Sequence, residues 1–133
     1  MELTEKLKHL ETNIVTLREI KSSISLDDLK LHKRHEWEVR YGLFESIQIV
    51  IDISCKISSH YNLGNPKSYK ECIELLVRGN YLSLELSKKI ISMVGLRNLL
   101  VHEYAQIDDE KLYAFLNYLD DFILFVNEIK SNL

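Results

Sequence analysis

Glycine and proline are scarce, with four Gly and a single Pro in 133 residues. A sandwich or barrel needs turn residues between many short strands, and no alternating apolar run bounded by turns calls for a strand, so all-β folds are excluded. No apolar run approaches the roughly 20 residues of a membrane span. The longest, near Ile47, is interrupted by Gln48 and Asp52. Cysteine is limited to Cys55 and Cys72, both in apolar helical contexts and without a paired-Cys motif. The N-terminus Met1-Glu2-Leu3-Thr4-Glu5 lacks the basic and apolar regions of a secretory signal, so a reducing cytoplasm is the expected compartment. There is no phosphate-binding Gly loop and no nucleophile elbow. His32 and His35 stand three apart without a Cys/His/Asp set for zinc, and His9 and His60 have no partner visible in sequence, so neither a metal nor a cofactor is expected.

Apolar residues make up 46% and charged residues 28%, a composition too ordered for a disordered tail and sufficient for one domain spanning residues 1–133. At this length folding hides roughly two-thirds of the unfolded surface. The net charge of −3 is uneven: residues 105–133 carry two basic against six acidic side chains, while the remainder is close to balanced. Such a balance argues against coating nucleic acid by bulk charge, and DNA is not an expected partner. Lys30, Lys33, Arg34 and Arg40, with His32 and His35 among them, form the best candidate basic patch, with a solvated helical face as the plainer reading.

The apolar spacing is helical throughout. Leu3, Leu7, Leu10, Ile14, Leu17 and Ile20 define one narrow stripe. Ser25 with Asp28 reads as a capping-box variant opening a second helix, expected to run with a bend to about Tyr61. The middle of that helix is apolar on two flanks, Trp37, Tyr41, Phe44, Ile51 and Cys55 on one and Leu43, Ile47, Val50 and Ile57 on the other. Between them runs a polar line of Glu45, Gln48, Asp52, Lys56 and Ser59, expected to face solvent or a shared cleft. A single-sided surface helix needs only one apolar flank, so the second predicts a homodimer. Asn62-Leu63-Gly64-Asn65-Pro66 is a turn, Ser68 to Glu71 a capping box for a short helix to Arg78, and Ser83 with Glu85 the start of a fourth. Asp108, Asp109 and Glu110 open a fifth helix, striped by Leu112, Phe115, Leu119, Phe122, Val126 and Ile129. The expected fold is all-α, an antiparallel up-and-down bundle of four long helices plus one short helix, homodimeric.

Arg97-Asn98-Leu99-Leu100-Val101-His102-Glu103-Tyr104 sets a fixed cation, an amide, a near-neutral acid/base and a phenol in otherwise apolar helical sequence. Arginine's planar fork suits phosphate, and histidine exchanges a proton near pH 7, which together suggest phosphodiester chemistry. Leu86, Ile90, Met93, Arg97, Leu100 and Tyr104 share one stripe, so Arg97 takes a core-like position. Either an acid meets it, with Asp52 or Glu45 the nearest in kind, or the stripe lines a cleft open to an anion. Gly95, Asn98 and His102 share a second face, about 140° from Arg97 for the histidine. A kink near Gly95 or His102, or a cleft where another protomer supplies its own copy, would bring the two groups together. Phosphodiester chemistry of this kind needs an acid or base and a cation on the phosphate. His102 supplies the base or acid and Arg97 the cation. Asn98 can donate to substrate or orient His102.

Arg97 and His102 separated by four residues, followed by X-Tyr104 and with Asn98 after the arginine, resemble the motif of the HEPN superfamily and its HepT-like toxin branch. Ile51 to Ser54, Leu63 to Tyr69 and Met93 to Tyr104 look like that branch over about two-thirds of the chain. The resemblance implies a helical dimer acting as a metal-independent endoribonuclease toxin, with two motif copies in one composite site at the subunit interface. It also implies a cognate minimal nucleotidyltransferase antitoxin that transfers AMP to the motif tyrosine. Carried over, Arg97 and His102 are catalytic, Asn98 and Asp52 supporting, and Tyr104 the adenylylation site. Lys56 stands where related sequences often have histidine. The competing reading is a non-catalytic helical substrate- or nucleotide-binding subunit of a nucleotidyltransferase, and a third is a purely structural dimerisation bundle.

Overall fold

Leu3, Leu7, Leu10, Ile14 and Leu17 are all buried along α1 (Glu2–Ser23), as their spacing predicts, in a computed structural model that describes residues 2–102 and 107–133. The chain continues through α2 (Leu26–Leu31), α3 (Lys33–His60), α4 (Tyr69–Arg78), α5 (Leu84–His102) and α6 (Asp109–Phe115). A 3₁₀ turn (Leu116–Tyr118) then leads into α7 (Leu119–Asn132). The described residues contain helices and no strand, and none of their helices is long and apolar enough to cross a membrane.

Four helices close a ring in which α1 packs on α3 and α7, α3 on α5, and α5 on α7. The polar pairs along each seam fix the directions. On α1 and α3, Glu2 meets Lys56, Lys6 meets Asp52 and Asn13 meets Glu45, so rising numbers face falling ones. Arg18 with Asp120 and Glu11 with Lys130 do the same for α1 and α7, as do Ser83 with Glu128 and Lys89 with Asp121 for α5 and α7. The topology is therefore up-down-up-down. Leu10, Ile14, Leu43, Ile47, Ile73, Ile90, Phe122 and Phe125 fill the middle of one continuous core. At Gly42 an added Cβ would lie 2.7 Å from Leu17 Cδ2, so the absent side chain is what lets α1 and α3 approach.

Three features differ from the sequence expectation. The long second helix is two, broken at His32, whose backbone is extended and whose N–H closes α2 on the Asp28 carbonyl at 3.0 Å. Neither Gly nor Pro marks this break and His32 gives no side-chain cap. It is held from outside, because α2 packs on both α3 and α6, with Lys30 on Glu110 at 3.1 Å. The Ser25 and Asp28 capping box is present in both directions. The fifth helix is likewise divided at Leu116–Tyr118, although Leu112, Leu119, Phe122, Val126 and Ile129 are buried as expected. In the turn after α3 the left-handed residue is Asn62 (φ 55°), while Gly64 makes room for Leu75, whose Cδ2 would lie 2.7 Å from an added Cβ.

The polar line of α3 does not face open solvent as a whole; much of it is occupied by α1. Glu45 accepts from Tyr41 Oη at 2.7 Å and from Asn13 Nδ2 at 2.8 Å, and its carboxylate lies 3.1 Å from His9 Nε2. These bonds favour the charged form, so the Glu45 carboxyl titrates below its ordinary value. A lowered carboxylate stabilises the fold above its unfolded pKa, and that contribution disappears as pH falls through the folded value. Glu45→Gln should therefore melt below the parent at pH 7, with the gap closing as pH is taken below about 4. Thermal melts across that range check it, and a gap independent of pH would contradict the assignment.

Candidate functional site

The positioning of the site begins at the start of α5. Ser83 accepts from Leu86 N through its Oγ at 3.2 Å and is itself anchored on Glu128 of α7, which accepts from Ser83 N at 2.7 Å. From there α5 runs without interruption past Gly95 to His102. Leu86, Ile90, Met93, Leu96 and Leu100 bury its inner face, and Arg97 sits half-buried where α5 meets α3 and α4.

No carboxylate pairs with Arg97 among the described residues. Its Nε donates to Gln48 Oε1 at 3.0 Å and its Nη1 to Asn98 Oδ1 at 3.2 Å. The guanidinium carbon lies 5.2 Å from the Tyr69 ring centroid and 5.9 Å from that of Phe44. Two neutral acceptors and two ring faces hold the group in place and leave its charge uncancelled. Among the described residues only two of its five N–H donors are engaged. Of the two alternatives left open by the sequence, the pairing with an acid is not met among the described residues.

Asp52 acts one step removed. Its Oδ1 accepts from Gln48 Nε2 at 2.9 Å, which turns Gln48 Oε1 toward Arg97, and Lys6 Nζ lies 3.8 Å from its other oxygen. Among the described residues Asp52 thus reaches Arg97 only through Gln48, and Glu45 is engaged elsewhere. Lys56 pairs with Glu2 at 2.7 Å and takes no part in the site. Asn98 is exposed and is oriented by Arg97, with no bond to His102. His102 is exposed at the last described turn of α5. With the helix continuous, Arg97 and His102 lie about 140° apart around its axis, as on an ideal helix. Tyr104 lies outside the described residues.

Two surfaces adjoin this point. On one side Trp37, Arg40, Tyr41, Phe44, Leu100 and Val101 line a shallow depression of about 320 Å³, with Trp37 61% and Tyr41 63% exposed. This is the outer part of the second apolar flank of α3. Its other members, Ile51 and Cys55, turn inward, Ile51 into the core and Cys55 to a disulfide with Cys72 that joins α3 to α4 over a Cα separation of 4.9 Å. The cysteines, which carry no paired-Cys motif and with the N-terminus suggest a reducing compartment, are a pair and so do not support that compartment; residues seventeen apart in the chain meet because the Asn62 turn folds α4 back on α3. On the other side a groove carries Lys67, Tyr69, Lys70 and Asn98. Gly95 faces open space, with nothing within 4 Å of an added Cβ, so no neighbour in this chain demands a glycine there.

The candidate basic patch is paired only in part among the described residues. Lys30 pairs with Glu110, Arg40 with Glu36 and His35 with Glu38, while Lys33 lies over Trp37. Sequence reading missed Gln48 as the acceptor for Arg97 and missed both aromatic faces. The signal for Gln48 was its spacing of four from Asp52 on one helical face; for Tyr69, a contact across fold elements, there was none.

A family model described as ribonuclease HepT-like matches residues 10–129. The chain is 36% identical over 115 residues to the tRNA nuclease HepT of Aphanizomenon flos-aquae, covering 84% of this chain and 76% of that protein. It is 35% identical over 82 residues to the mRNA nuclease HepT of Shewanella oneidensis, covering 61% of this chain and 62% of that protein, so this match spans less than two-thirds of the relative's length. Among solved structures, the tri-AMPylated HEPN toxin of Shewanella oneidensis in complex with MNT antitoxin superposes with a TM-score of 0.88 at 26% identity, over 97% of this chain and 96% of that one.

A hydrogen bond to a charged group is worth about 1.5–3 kcal/mol. In Gln48→Leu the Nε–H of Arg97 should therefore exchange with water roughly tenfold faster or more. Arginine-side-chain NMR measures this rate, and an unchanged value would show that Gln48 does not hold the guanidinium.

Proposed function

This chain belongs to the HepT-like ribonuclease family, and from that membership we propose that it is the RNA-cleaving toxin of a toxin–antitoxin pair, acting in the cytoplasm without a metal. The observation that carries the reading is the Arg97 guanidinium, half-buried, fixed by Gln48 and two rings, and not neutralised by any described carboxylate. A structural arginine in that position would gain more from an acid than from a neutral amide.

The chemistry follows from these groups. Arg97 binds the non-bridging oxygens of the scissile phosphate, and its charge grows in value as negative charge accumulates there. His102 removes the proton of the 2′-hydroxyl, whose oxygen attacks phosphorus. The bond from phosphorus to the 5′-oxygen breaks, and an imidazolium returns a proton to that leaving oxygen. The products are a 2′,3′-cyclic phosphate and a 5′-hydroxyl. Asn98, exposed beside Arg97, donates its amide to the substrate.

Arg97 and His102 diverge on one helix, so two protomers complete the site, each lending its guanidinium and imidazole to a shared cleft. The exposed Trp37 and Tyr41 depression, which ends at Val101 beside His102, is the seam. Gly95 permits the close approach. A cognate minimal nucleotidyltransferase is the antitoxin, and AMP on Tyr104 silences the site by adding bulk and a negative phosphate where an RNA phosphate must lie. The AMPylated state and MNT complex of the Shewanella neighbour support this assignment.

Purified protein incubated with total RNA should produce fragments ending in cyclic phosphate. Folded His102→Ala and Arg97→Ala should each lose about two to four orders of magnitude in cleavage rate. Fragments ending in 3′-hydroxyl would indicate attack by water and overturn the metal-independent 2′-hydroxyl route, and a chain that neither cleaves RNA nor harms its host would overturn the reading in favour of a binding subunit. Separately, light scattering should find a dimer, converted to a monomer with loss of cleavage by Trp37→Glu combined with Tyr41→Glu; an active monomer would dismiss the shared site.

A further inference from the structure

The groove on the α4 side of Arg97 encloses about 560 Å³ and is floored by the Cys55 and Cys72 pair. Its walls combine Tyr69 and Val94 with Lys67, Lys70 and Asn98. Two contacts make it continuous with the candidate site. The Arg97 guanidinium lies against the Tyr69 ring at 5.2 Å, and Asn98, which accepts from Arg97 Nη1, lines the groove itself. Tyr69 is 41% exposed, so Arg97 covers only part of its ring. Neither Lys67 nor Lys70 has a carboxylate within ion-pair distance among the described residues. The neighbouring Glu71 is turned back on the helix start, where it accepts from Lys67 N at 3.2 Å and lies 3.4 Å from Ser68 Oγ.

An exposed aromatic face flanked by unneutralised cations is the combination that holds a single-stranded nucleotide, the ring stacking on a base and the cations following the backbone. A free anion such as phosphate would use the cations and leave the ring idle, and an apolar peptide would leave both lysines desolvated and unpaired. We infer that this groove is the subsite for the RNA nucleotide adjoining the scissile phosphate, with Tyr69 stacking its base, Lys67 and Lys70 binding flanking phosphates, and the Asn98 amide reaching its ribose or base edge. The inference rests on the ribonuclease reading of Arg97 and His102 and assigns the residues that position the strand there. Lys67, Tyr69 and Lys70 are binding residues in this scheme, and proton transfer stays with His102.

The test uses full-length protein carrying His102→Ala, so that RNA is bound without being cut, and a fluorescein-labelled ten-nucleotide single-stranded RNA followed by anisotropy. In that background Tyr69→Ala should weaken binding about five- to hundredfold, while Tyr69→Phe, which keeps the ring, should stay within about twofold of the parent. Lys67→Ser with Lys70→Ser should lower the slope of log affinity against log salt by about 1.4, at roughly 0.7 per single-strand phosphate contact. The lysine variant leaves the ring against Arg97 intact and remains decisive should Tyr69→Ala fail to fold. Unchanged affinity and salt slope in folded variants would overturn the subsite, even with a parent chain that cleaves RNA. Loss of binding in these variants with no cleavage by the parent chain would keep the subsite and overturn the ribonuclease reading.

Discussion

A positive charge held in place with no carboxylate paired to it among the described residues is the constraint around which this protein is organised. Arg97 is half-buried, and a guanidinium in that environment ordinarily demands an acid. Here the acid is kept one residue away: Asp52 bonds Gln48, and Gln48 bonds Arg97. The interposed amide passes on orientation while putting distance between the opposite charges, and attraction between charges falls with their separation. Tyr69 and Phe44 supply the remaining contact through their ring faces, which attract a cation and offer no counter-charge.

The rest of the bundle serves to keep that arrangement in register. Glu45, Asp52 and Lys56 on α3 are taken up by Asn13, Lys6 and Glu2 on α1, a ladder that fixes the rotation of α3 and so the direction in which Gln48 points. Glu128 anchors the start of α5, and the buried face of that helix carries Arg97 to the level of Gln48. The Asn62 turn and the Cys55 and Cys72 pair lay α4 across the end of α3, which places Tyr69 under the guanidinium. Each of these contacts joins different helices, so the site belongs to the packing and to no single element.

The continuity of α5 has an equally direct consequence. Because α5 is continuous through Gly95, the cation and the imidazole lie about 140° apart around its axis, as on an ideal helix. The exposed Trp37 and Tyr41, and a glycine with open space before it, lie on the surfaces to which the proposed second copy is assigned.

Much of the fold was legible in the amino-acid order. The α1 stripe, the capping serines 25, 68 and 83 and the acidic opening of α6 all depend on neighbours within a few residues, and each lies where its spacing predicted. The motif residues Arg97, Asn98 and His102 could be named because they are consecutive or nearly so. The breaks at His32 and Leu116 could not, since no local breaker marks them and packing across the bundle imposes them. The disulfide, the Gln48 relay and the Tyr69 face stayed hidden for the same reason, each joining residues 17 to 49 positions apart that only the return of the chain brings together. By itself the sequence determined which chemical groups the protein possesses and which helices carry them, because composition and period are local properties. Whether Arg97 would be neutralised by an acid or left charged was decided by the tertiary structure alone, because that depends on which faces of α3, α4 and α5 come to touch.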